Sequence, residues 1–235
     1  MKIAIIPARG GSKRIPRKNI RDFCGKPMLA HAICAAQASS LFDRIVVSTE
    51  DTEIATVATQ WGAEVPFTRP AVLADDHTGT TPVIAHGIQV LQKQGWEIDY
   101  VCCIYPAVPL LHAADLNKAL ELLLSVQAPY TFPVTTFPSP IQRALKRHET
   151  GRMEPFYPEY EQVRTQDLEP AYYDAGQFYW GTAHAWLTGV SIHRAGVGLV
   201  IPHWRVVDID TPEDWQRAEL LYQMALLHEE GVRRA

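Results

Sequence analysis

The first twenty residues contain the feature that most constrains the fold, an apolar run that opens into a basic, glycine-containing loop. The run Ile3 to Ile6 ends at Pro7, and the pair Gly10-Gly11 follows after two further residues. Seven of the 22 Lys and Arg residues lie in the first 21 positions, where there is no Asp or Glu, although the net charge of the chain is −4. A buried strand that leads into such a loop indicates a polyanion site, most simply one for a nucleoside triphosphate. The alternative is a solvated basic turn, which the lack of any interleaved acid disfavours.

Length and composition limit the class of protein. With 235 residues, 47% of them apolar and 20% charged, the chain can form one α/β domain, or one domain with a subdomain, around a sizeable core. Its mild acidity argues against a general nucleic-acid-binding protein, which needs a broad basic face. No run approaches 18 apolar residues, so we expect no membrane-spanning helix, no membrane partner and, by default, a cytoplasmic protein.

Apolar runs alternate with helical patterns along most of the chain. Nearly apolar strands, such as 44–49 and 100–105, are typical of the interior of a parallel sheet, and the adjacent Cys102 and Cys103 should point to its opposite faces. Helices are predicted at 28–39, 51–61, 82–94, 115–126 and 212–230, and further strands at 3–6, 130–135, 177–180, 199–201 and 206–210. This order predicts an α/β fold with a mostly parallel, Rossmann-like sheet flanked by helices on both faces. Ligands bind such sheets at the carboxyl ends of the strands, where the basic loop emerges.

Residues 136–176 break this pattern. They are rich in Pro, Tyr, Glu and Arg, and they show neither a period of two nor one of 3.6 residues. A loop of this length inside a compact domain is usually functional. We therefore predict a single domain over residues 1–235, with a lid or dimerisation arm inserted at 136–176.

Two familiar phosphate-binding motifs are absent from the basic loop. A P-loop ends in Gly-Lys-Ser/Thr, whereas residues 10–13 read Gly-Gly-Ser-Lys, with a different order and spacing. The dinucleotide fingerprint needs a third glycine that this loop lacks. The glycine pair still allows the backbone to approach a ligand and to take a positive φ, and Pro7 and Pro16 restrict the loop before it binds.

Asp208 and Asp210 form a second candidate site. If residues 206–210 are a strand, side chains two positions apart face the same side, so both carboxylates can reach one cation. Mg²⁺ prefers a few carboxylate oxygens together with phosphate oxygens and water. The alternative is a solvated strand end beside the cap of the terminal helix, for which Thr211 is the predicted N-cap, and the spacing favours neither interpretation.

Three further positions have side chains suited to a ligand. Arg69 begins a segment that reaches hydroxyl groups at Thr80 and Thr81, just before a helix, where an anionic or hydroxylated ligand can bind; simple helix capping is the alternative. Tyr105 ends the strand 100–105, where ordinary packing is the alternative. Arg164 lies in the irregular segment and suits a carboxylate because its planar fork binds both oxygens, and a surface salt bridge is the less favoured alternative.

The basic loop reads Pro-Ala-Arg-Gly-Gly-Ser-Lys-Arg-Ile-Pro-Arg-Lys-Asn-Ile over residues 7–20. It resembles the N-terminal motif of the CMP-sialic acid synthetase family, whose members are cytidylyltransferases that activate eight- and nine-carbon keto-acid sugars. The Asp-Ile-Asp-Thr at 208–211 is similar to the metal site of that family. Four other segments look specifically like the members that act on pseudaminic acid, and they read Asp-Asp-His-Thr-Gly-Thr, Cys-Cys-Ile-Tyr, Gln-Asp-Leu and Asp-Ala-Gly-Gln-Phe-Tyr-Trp. The resemblance covers residues 3–214.

This resemblance implies an enzyme that uses CTP and an acidic nine-carbon sugar, with Mg²⁺ as cofactor and a homodimer as the assembly. The residues implied for CTP are Arg9, Gly10, Gly11, Ser12, Lys13, Lys18, Asn19, Arg69 and Thr80. Those implied for catalysis are Lys18, Asp208 and Asp210, with the two aspartates as metal ligands, and those for the sugar are Tyr105, Arg164 and Gln166. Two departures stand out: Arg14 replaces a usual glycine, and Tyr105 replaces the glutamine of sialic acid enzymes, which indicates a different acceptor sugar.

We therefore expect CTP and pseudaminic acid to give CMP-pseudaminic acid and pyrophosphate, by in-line attack of the anomeric 2-hydroxyl on the α-phosphorus. Three alternatives remain. One is the same reaction on sialic, legionaminic or 3-deoxy-manno-octulosonic acid. The second is a phosphatase or sugar-modifying hydrolase, which would need a nucleophilic Asp or Ser after an early strand. The third is a nucleotide-binding module without catalytic activity.

Overall fold

The computed structural model describes the backbone of residues 1–234 and the side chains of residues 1–227. Its strands are β1 Lys2–Pro7, β2 Asp22–Phe23, β3 Lys26–Pro27, β4 Arg44–Ser48, β5 Tyr100–Ile104, β6 Tyr130–Thr136, β7 Leu145–Arg147, β8 Met153–Pro155, β9 Tyr172–Asp174, β10 Phe178–Thr182 and β11 Gly196–Val200. Its helices are α1 Met28–Ser39, α2 Thr52–Gln60, α3 Thr80–Lys93, α4 Ala113–Val126, α5 Ala183–Thr188, α6 Ile192–Ala195 and α7 Pro212–Arg234. None of these helices has the length and apolar character needed to cross a membrane.

A seven-stranded sheet forms the centre of the fold, in the order β11-β6-β10-β5-β1-β4, with β9 added beside β6. Strand β1 is parallel to both β4 and β5, and β11 is parallel to β6. Strand β10 is antiparallel to β5 and β6, and β9 is antiparallel to β6. Five strands therefore run in one direction and two in the other, which confirms the predicted α/β class with a mostly parallel sheet.

The helices cover both faces of this sheet because β1 and β5 are apolar on both sides. Ala4 and Ile6 of β1 pack with residues of α1, α2 and α4, whereas Ile3 and Ile5 pack with residues of α3 and α5. The four side chains are fully buried, and burying an isoleucine stabilises a fold by roughly 1.5–3 kcal/mol. Cys102 and Cys103 belong to the two different clusters, as predicted.

The predicted strand at 206–210 is wrong. A short 3-10 turn, His203–Arg205, precedes these residues, which form neither helix nor strand before α7 begins. Polar side chains from elsewhere hold the segment in place of a neighbouring strand. Gln177 Nε2 donates to the carbonyl of Arg205 at 2.7 Å, and Lys18 Nζ donates to the carbonyl of Ile209 at 2.6 Å. Asp208 and Asp210 therefore do not lie on one face of a strand.

The irregular segment 136–176 contains short elements that periodicity could not detect. Strands β7 and β8 form an antiparallel hairpin of three residues each, and three 3-10 turns lie around it. The segment also includes β9, which joins the main sheet beside β6. Elements of three residues are too short to show a period of two or 3.6 in the sequence.

Candidate active site

The basic loop leaves β1 at Pro7 and is anchored at its centre by the buried side chain of Ile15. This side chain is 1% exposed and packs with Phe23, Ile209 and Trp215. The amide of Asn19 closes the loop, since Nδ2 donates to the carbonyl of Arg9 at 2.9 Å. A loop held at its centre and at its ends presents its charged side chains from a fixed backbone.

Gly10 is required by a close approach within the protein. Its N–H donates to Glu50 Oε1 at 2.7 Å, and a Cβ at this position would lie 2.3 Å from Asp51 Oδ2. By contrast, a Cβ at Gly11 would have no heavy atom within 4 Å. Neither glycine has a positive φ; in this loop Arg17 takes one instead, at 57°. Gly10 is therefore needed for the close contact between the loop and two acids that follow β4, Glu50 and Asp51.

Those acids, Glu50 and Asp51, were not among the predicted site residues. Asp51 caps α2 by accepting the N–H groups of Glu53 and Ile54, and it also accepts two hydrogen bonds from the Arg17 guanidinium. The hydrogen bonds from Arg17 are the main reason that the pKa of Asp51 falls to about 2. The sequence carried a usable signal, because acids that directly follow β4 must meet the loop that follows its parallel neighbour β1.

A cavity of about 620 Å³ lies between the basic loop and the segment that leads into α3. Nine of the predicted site residues line it: Arg9, Ser12, Lys13, Lys18, Asn19, Arg69, Thr80, Tyr105 and Asp210. The described residues that line this cavity do not include three other predicted site residues, Gly10, Gly11 and Asp208. The structure thus brings together side chains from both ends of the chain in one cationic pocket.

Asp210 forms contacts with two cations of the basic loop. Its Oδ1 lies 2.8 Å from Arg14 Nη2 and 3.7 Å from Lys18 Nζ. Arg14, the departure from the family motif, therefore faces the cavity as an additional cation. This arrangement fixes the carboxylate of Asp210 at the place where the loop meets the segment 206–210.

Arg69 contributes a buried positive charge to the same cavity. It is 4% exposed, and its Nη2 lies 3.0 Å from Glu50 Oε2. Burial lowers the pKa of this guanidinium and Glu50 raises it, but arginine remains charged at any pH that proteins tolerate. Within the described part of the chain, Arg69 Nε and Asn19 Oδ1 are buried without a hydrogen-bond partner. Both residues line the cavity, so both have unused capacity to bind a polar ligand.

A second cavity, of about 630 Å³, adjoins the first at Tyr105, which lines both. Asp208 lines the second cavity and Asp210 the first, so the segment between them separates the two spaces. The remaining lining residues are Phe137, Pro138, Tyr173, Asp174, Ala175, Gly176, His203, Val206, Val207, Asp214 and Arg217. Arg217, a cation on α7 that faces this cavity, was not predicted.

The two aspartates can offer oxygen ligands to a divalent cation. Burial raises the pKa of Asp208, and the neighbouring charge of Asp210 raises it further, a repulsion that a bound cation would relieve. Among the described residues, no group of three or more His, Cys, Asp and Glu side chains is arranged to hold a metal. The pair therefore fits Mg²⁺ only with substrate oxygens and water as further ligands, which is the coordination that Mg²⁺ commonly has.

A chain of hydrogen bonds connects the two cavities through Tyr105. Thr80 Oγ1 and the Tyr105 hydroxyl share a hydrogen bond of 2.7 Å, and Tyr105 in turn interacts with the Tyr179 hydroxyl. Tyr179 donates to Asp174 Oδ2 at 2.8 Å, and His193 Nε2 lies 2.7 Å from the same oxygen. Burial raises the pKa of both tyrosines, so both hydroxyls stay protonated at neutral pH. Tyr105 is thus held in one orientation between the cavities.

Arg164 and Gln166 lie outside both cavities in this chain. The Arg164 side chain is 71% exposed and forms an ion pair with Asp167 at 2.7 Å, across the 3-10 turn Thr165–Asp167. Neither residue is among the described residues that line the two cavities. The structure therefore does not bring these two predicted sugar contacts to the other candidate site residues of the same chain.

Comparisons with known proteins agree with this geometry. The family model described as "Cytidylyltransferase" matches residues 3–233. A pseudaminic acid cytidylyltransferase of Campylobacter jejuni subsp. jejuni serotype O:23/36 (strain 81-176) is 44% identical over 223 residues, which are 94% of this chain and 96% of that protein.

Two more distant relatives extend the comparison. A CMP-N,N'-diacetyllegionaminic acid synthase of Legionella pneumophila subsp. pneumophila (strain Philadelphia 1) is 32% identical to this chain. The aligned residues are 94% of this chain and 96% of that protein. The solved structure of a CMP:2-keto-3-deoxy-manno-octonic acid synthetase in complex with CTP has a TM-score of 0.66 at 18% identity, with 97% of this chain and 99% of that chain covered. This structural likeness supports the fold, and the family match over nearly the whole chain shows that the protein belongs to the cytidylyltransferase family.

Proposed function

We propose that this protein transfers the cytidylyl group of CTP to pseudaminic acid, giving CMP-pseudaminic acid and pyrophosphate. The observation that carries the proposal is the 44% identity to a pseudaminic acid cytidylyltransferase over 94% of the chain. The cationic cavity and the adjoining second cavity support it, because the reaction needs one space for a triphosphate and another for the acceptor.

The first cavity is the proposed site for CTP. In the proposed reaction the anomeric hydroxyl oxygen forms a bond to the α-phosphorus. The bond from that phosphorus to the bridging oxygen of the β-phosphate breaks and leaves its electron pair on pyrophosphate, and the hydroxyl proton passes to solvent water. Negative charge grows on the leaving pyrophosphate, so fixed cations lower the barrier. Arg9, Lys13, Arg14 and Lys18 are the cations that we assign to the phosphates, and Arg69 and Thr80 complete the nucleotide contacts.

The second cavity is the proposed site for the acidic sugar. Tyr105 would separate the two substrates, and Arg217 is a cation of the same chain that could accept the sugar carboxylate, since guanidinium groups bind carboxylates in a fork. Asp208 and Asp210 would hold Mg²⁺ where the two cavities meet. When bound there, the cation would supply further charge neutralisation to the phosphates.

The substrate assignment predicts a clear order in a turnover assay. With CTP and Mg²⁺ present, pyrophosphate release should be fastest with pseudaminic acid and at least tenfold slower with legionaminic, sialic or 3-deoxy-manno-octulosonic acid at equal concentration. Such discrimination corresponds to about 1.4 kcal/mol in the transition state. Faster turnover with another of these sugars would reassign the acceptor, and CTP binding without turnover of any sugar would indicate a binding module.

We further propose that the arm at 136–176 mediates a homodimer. Eight large apolar side chains of this arm are exposed, although such side chains are usually covered when they occur together. They are Phe137, Ile141, Leu145, Met153, Phe156, Tyr157, Tyr160 and Tyr172. A second copy of the chain is the partner proposed to cover them, and Arg164 on the same arm would then approach the partner's sugar cavity.

Charged substitutions on the hairpin should therefore split the dimer. Leu145→Glu together with Met153→Glu places two carboxylates on the exposed face of β7 and β8, and we expect the sedimenting mass to fall from two chains to one. Leu124→Glu, on an exposed position of α4, is the matched control and should leave the mass unchanged. If Arg164 acts across the interface, the monomeric variant should still bind CTP but lose affinity for the sugar. A wild-type protein that sediments as one chain would contradict the proposal.

A further inference from the structure

The carboxylate of Asp76 lies between two cations of the basic loop. Its Oδ1 is 2.7 Å from Arg9 Nη1, and its Oδ2 is 2.5 Å from Lys13 Nζ. All three residues line the first cavity. Carboxylate and phosphate oxygens accept the same kind of charge-assisted hydrogen bond from arginine and lysine, so Asp76 uses donors that a phosphate group would also use. Lys13 and then Arg9 lower the pKa of Asp76, so this carboxyl is ionised at neutral pH.

A turn built by the preceding residue positions this carboxylate. Asp75 Oδ1 accepts the N–H groups of His77 at 2.9 Å and Thr78 at 2.6 Å, as in an Asx turn. The carbonyl of Asp75 also accepts a hydrogen bond from Arg9 Nη1 at 2.7 Å. The backbone of the turn is therefore held by Asp75, whereas the Asp76 side chain is 37% exposed and, among the described residues, is held only by the two cations.

Asp76 is also the sole carboxylate partner of these two cations within the described part of the chain. The other loop cations that face the cavity, Arg14 and Lys18, pair with Asp210 instead. A phosphate group that contacts Arg9 and Lys13 must therefore take the donors that Asp76 now uses. The exchange is feasible because a terminal phosphate has more charge and more oxygens than a carboxylate.

We propose that Asp76 competes with the two terminal phosphates of the nucleotide for Arg9 and Lys13, and so limits how tightly the site retains a triphosphate or pyrophosphate. The inference rests on the proposed function, because it takes the first cavity as the CTP site. Competition of this kind would favour release of pyrophosphate, since the departing anion is replaced by a carboxylate that is already in place.

Equilibrium binding by calorimetry tests the proposal with three ligands: CTP, CMP and inorganic pyrophosphate. In Asp76→Asn, CTP and pyrophosphate should bind roughly two- to tenfold more tightly than in the wild type, because partly exposed ion pairs of this kind are each worth a few-fold in affinity. CMP should bind equally well to both proteins, since it lacks the two terminal phosphates. The matched control is Glu53→Gln, which removes the same charge from an acid that pairs with another cation of the basic loop, Arg17, at 2.6 Å. Neither Glu53 nor Arg17 is among the described residues that line the cavity. This control should change none of the three affinities by more than twofold.

Three results would overturn the proposal. Unchanged or weaker binding of CTP and pyrophosphate to Asp76→Asn would show that Asp76 does not compete with them. An equal gain for CMP, or an equal gain in Glu53→Gln, would show a general effect of removing one negative charge. Pyrophosphate binding separates this inference from the proposed function, since it tests Asp76 even if the wild type does not bind CTP.

Discussion

The variant Asp210→Asn should lose about 10²–10³-fold in kcat, the largest effect on activity that we expect from a single substitution. Removal of one electrostatic contact in a transition state typically has this size, about 3–4 kcal/mol. Two roles of Asp210 lead us to expect an effect of this size. Its carboxylate fixes Arg14 and Lys18 at the cavity wall, and it is a proposed ligand of Mg²⁺. Asparagine keeps the shape of the side chain but removes its charge.

Two further measurements distinguish these two roles of Asp210. If Asp210 binds the cation, the Mg²⁺ concentration that gives half-maximal rate should rise in Asp210→Asn, and Asp208→Asn should show the same rise. If it only orients Arg14 and Lys18, the Mg²⁺ dependence should stay as in the wild type while the KM for CTP rises. Asp99→Asn is the control, because this exposed carboxylate pairs with the N-terminal ammonium at the opposite edge of the sheet. Full activity of Asp210→Asn would exclude both roles.

Asp210 also shows which parts of the site were accessible from the sequence. The basic loop and the pair Asp208-Asp210 could be predicted because glycine, lysine and aspartate in those orders have few structural uses. Which cavity each aspartate faces could not be predicted, because that depends on the backbone of residues 206–210. A run of alternating apolar residues predicts a strand only if a neighbouring strand is available to pair with it. Here Lys18 and Gln177 supply the hydrogen bonds instead, and no local pattern encodes contacts at such a separation in sequence.

The fold itself was more predictable than the partners of the loop cations. The apolar runs of β1, β4 and β5 indicated parallel strands, and the bounds predicted for α1 agree with those of the structure. The interior position expected for β4 was wrong, because this strand lies at one end of the strand order. The counter-charges on the loop were missed because they lie far along the chain. Asp76 meets Arg9 only after β4, α2 and a turn have brought it back to the carboxyl edge of the sheet. Charge pairing of this kind follows from topology, whereas helix and strand periods follow from neighbours in sequence.

The largest effect on stability should come from Arg205, which forms a buried ion pair with Asp115. Their side chains are 8% and 7% exposed, and Arg205 Nη1 lies 2.5 Å from Asp115 Oδ2. Breaking such a pair by removing one partner leaves a buried charge and typically costs about 3–5 kcal/mol. We therefore expect Arg205→Met to lower the free energy of unfolding by about that amount in urea titrations. Arg164→Met, which breaks an exposed pair, should cost less than about 1 kcal/mol.

The double variant Arg205→Met with Asp115→Leu tests whether the ion pair only stabilises the fold or also fixes the position of residues 206–210. Two apolar side chains of similar size can replace a buried ion pair with little loss of stability, so we expect unfolding within about 1 kcal/mol of the wild type. Arg205 directly precedes the segment that ends at Asp210, and its carbonyl accepts the hydrogen bond from Gln177. If the ion pair fixes this segment, the double variant should regain stability but remain at least tenfold below the wild type in kcat/KM. Recovery of both quantities together would show that Gln177 and Lys18 suffice to position the two aspartates.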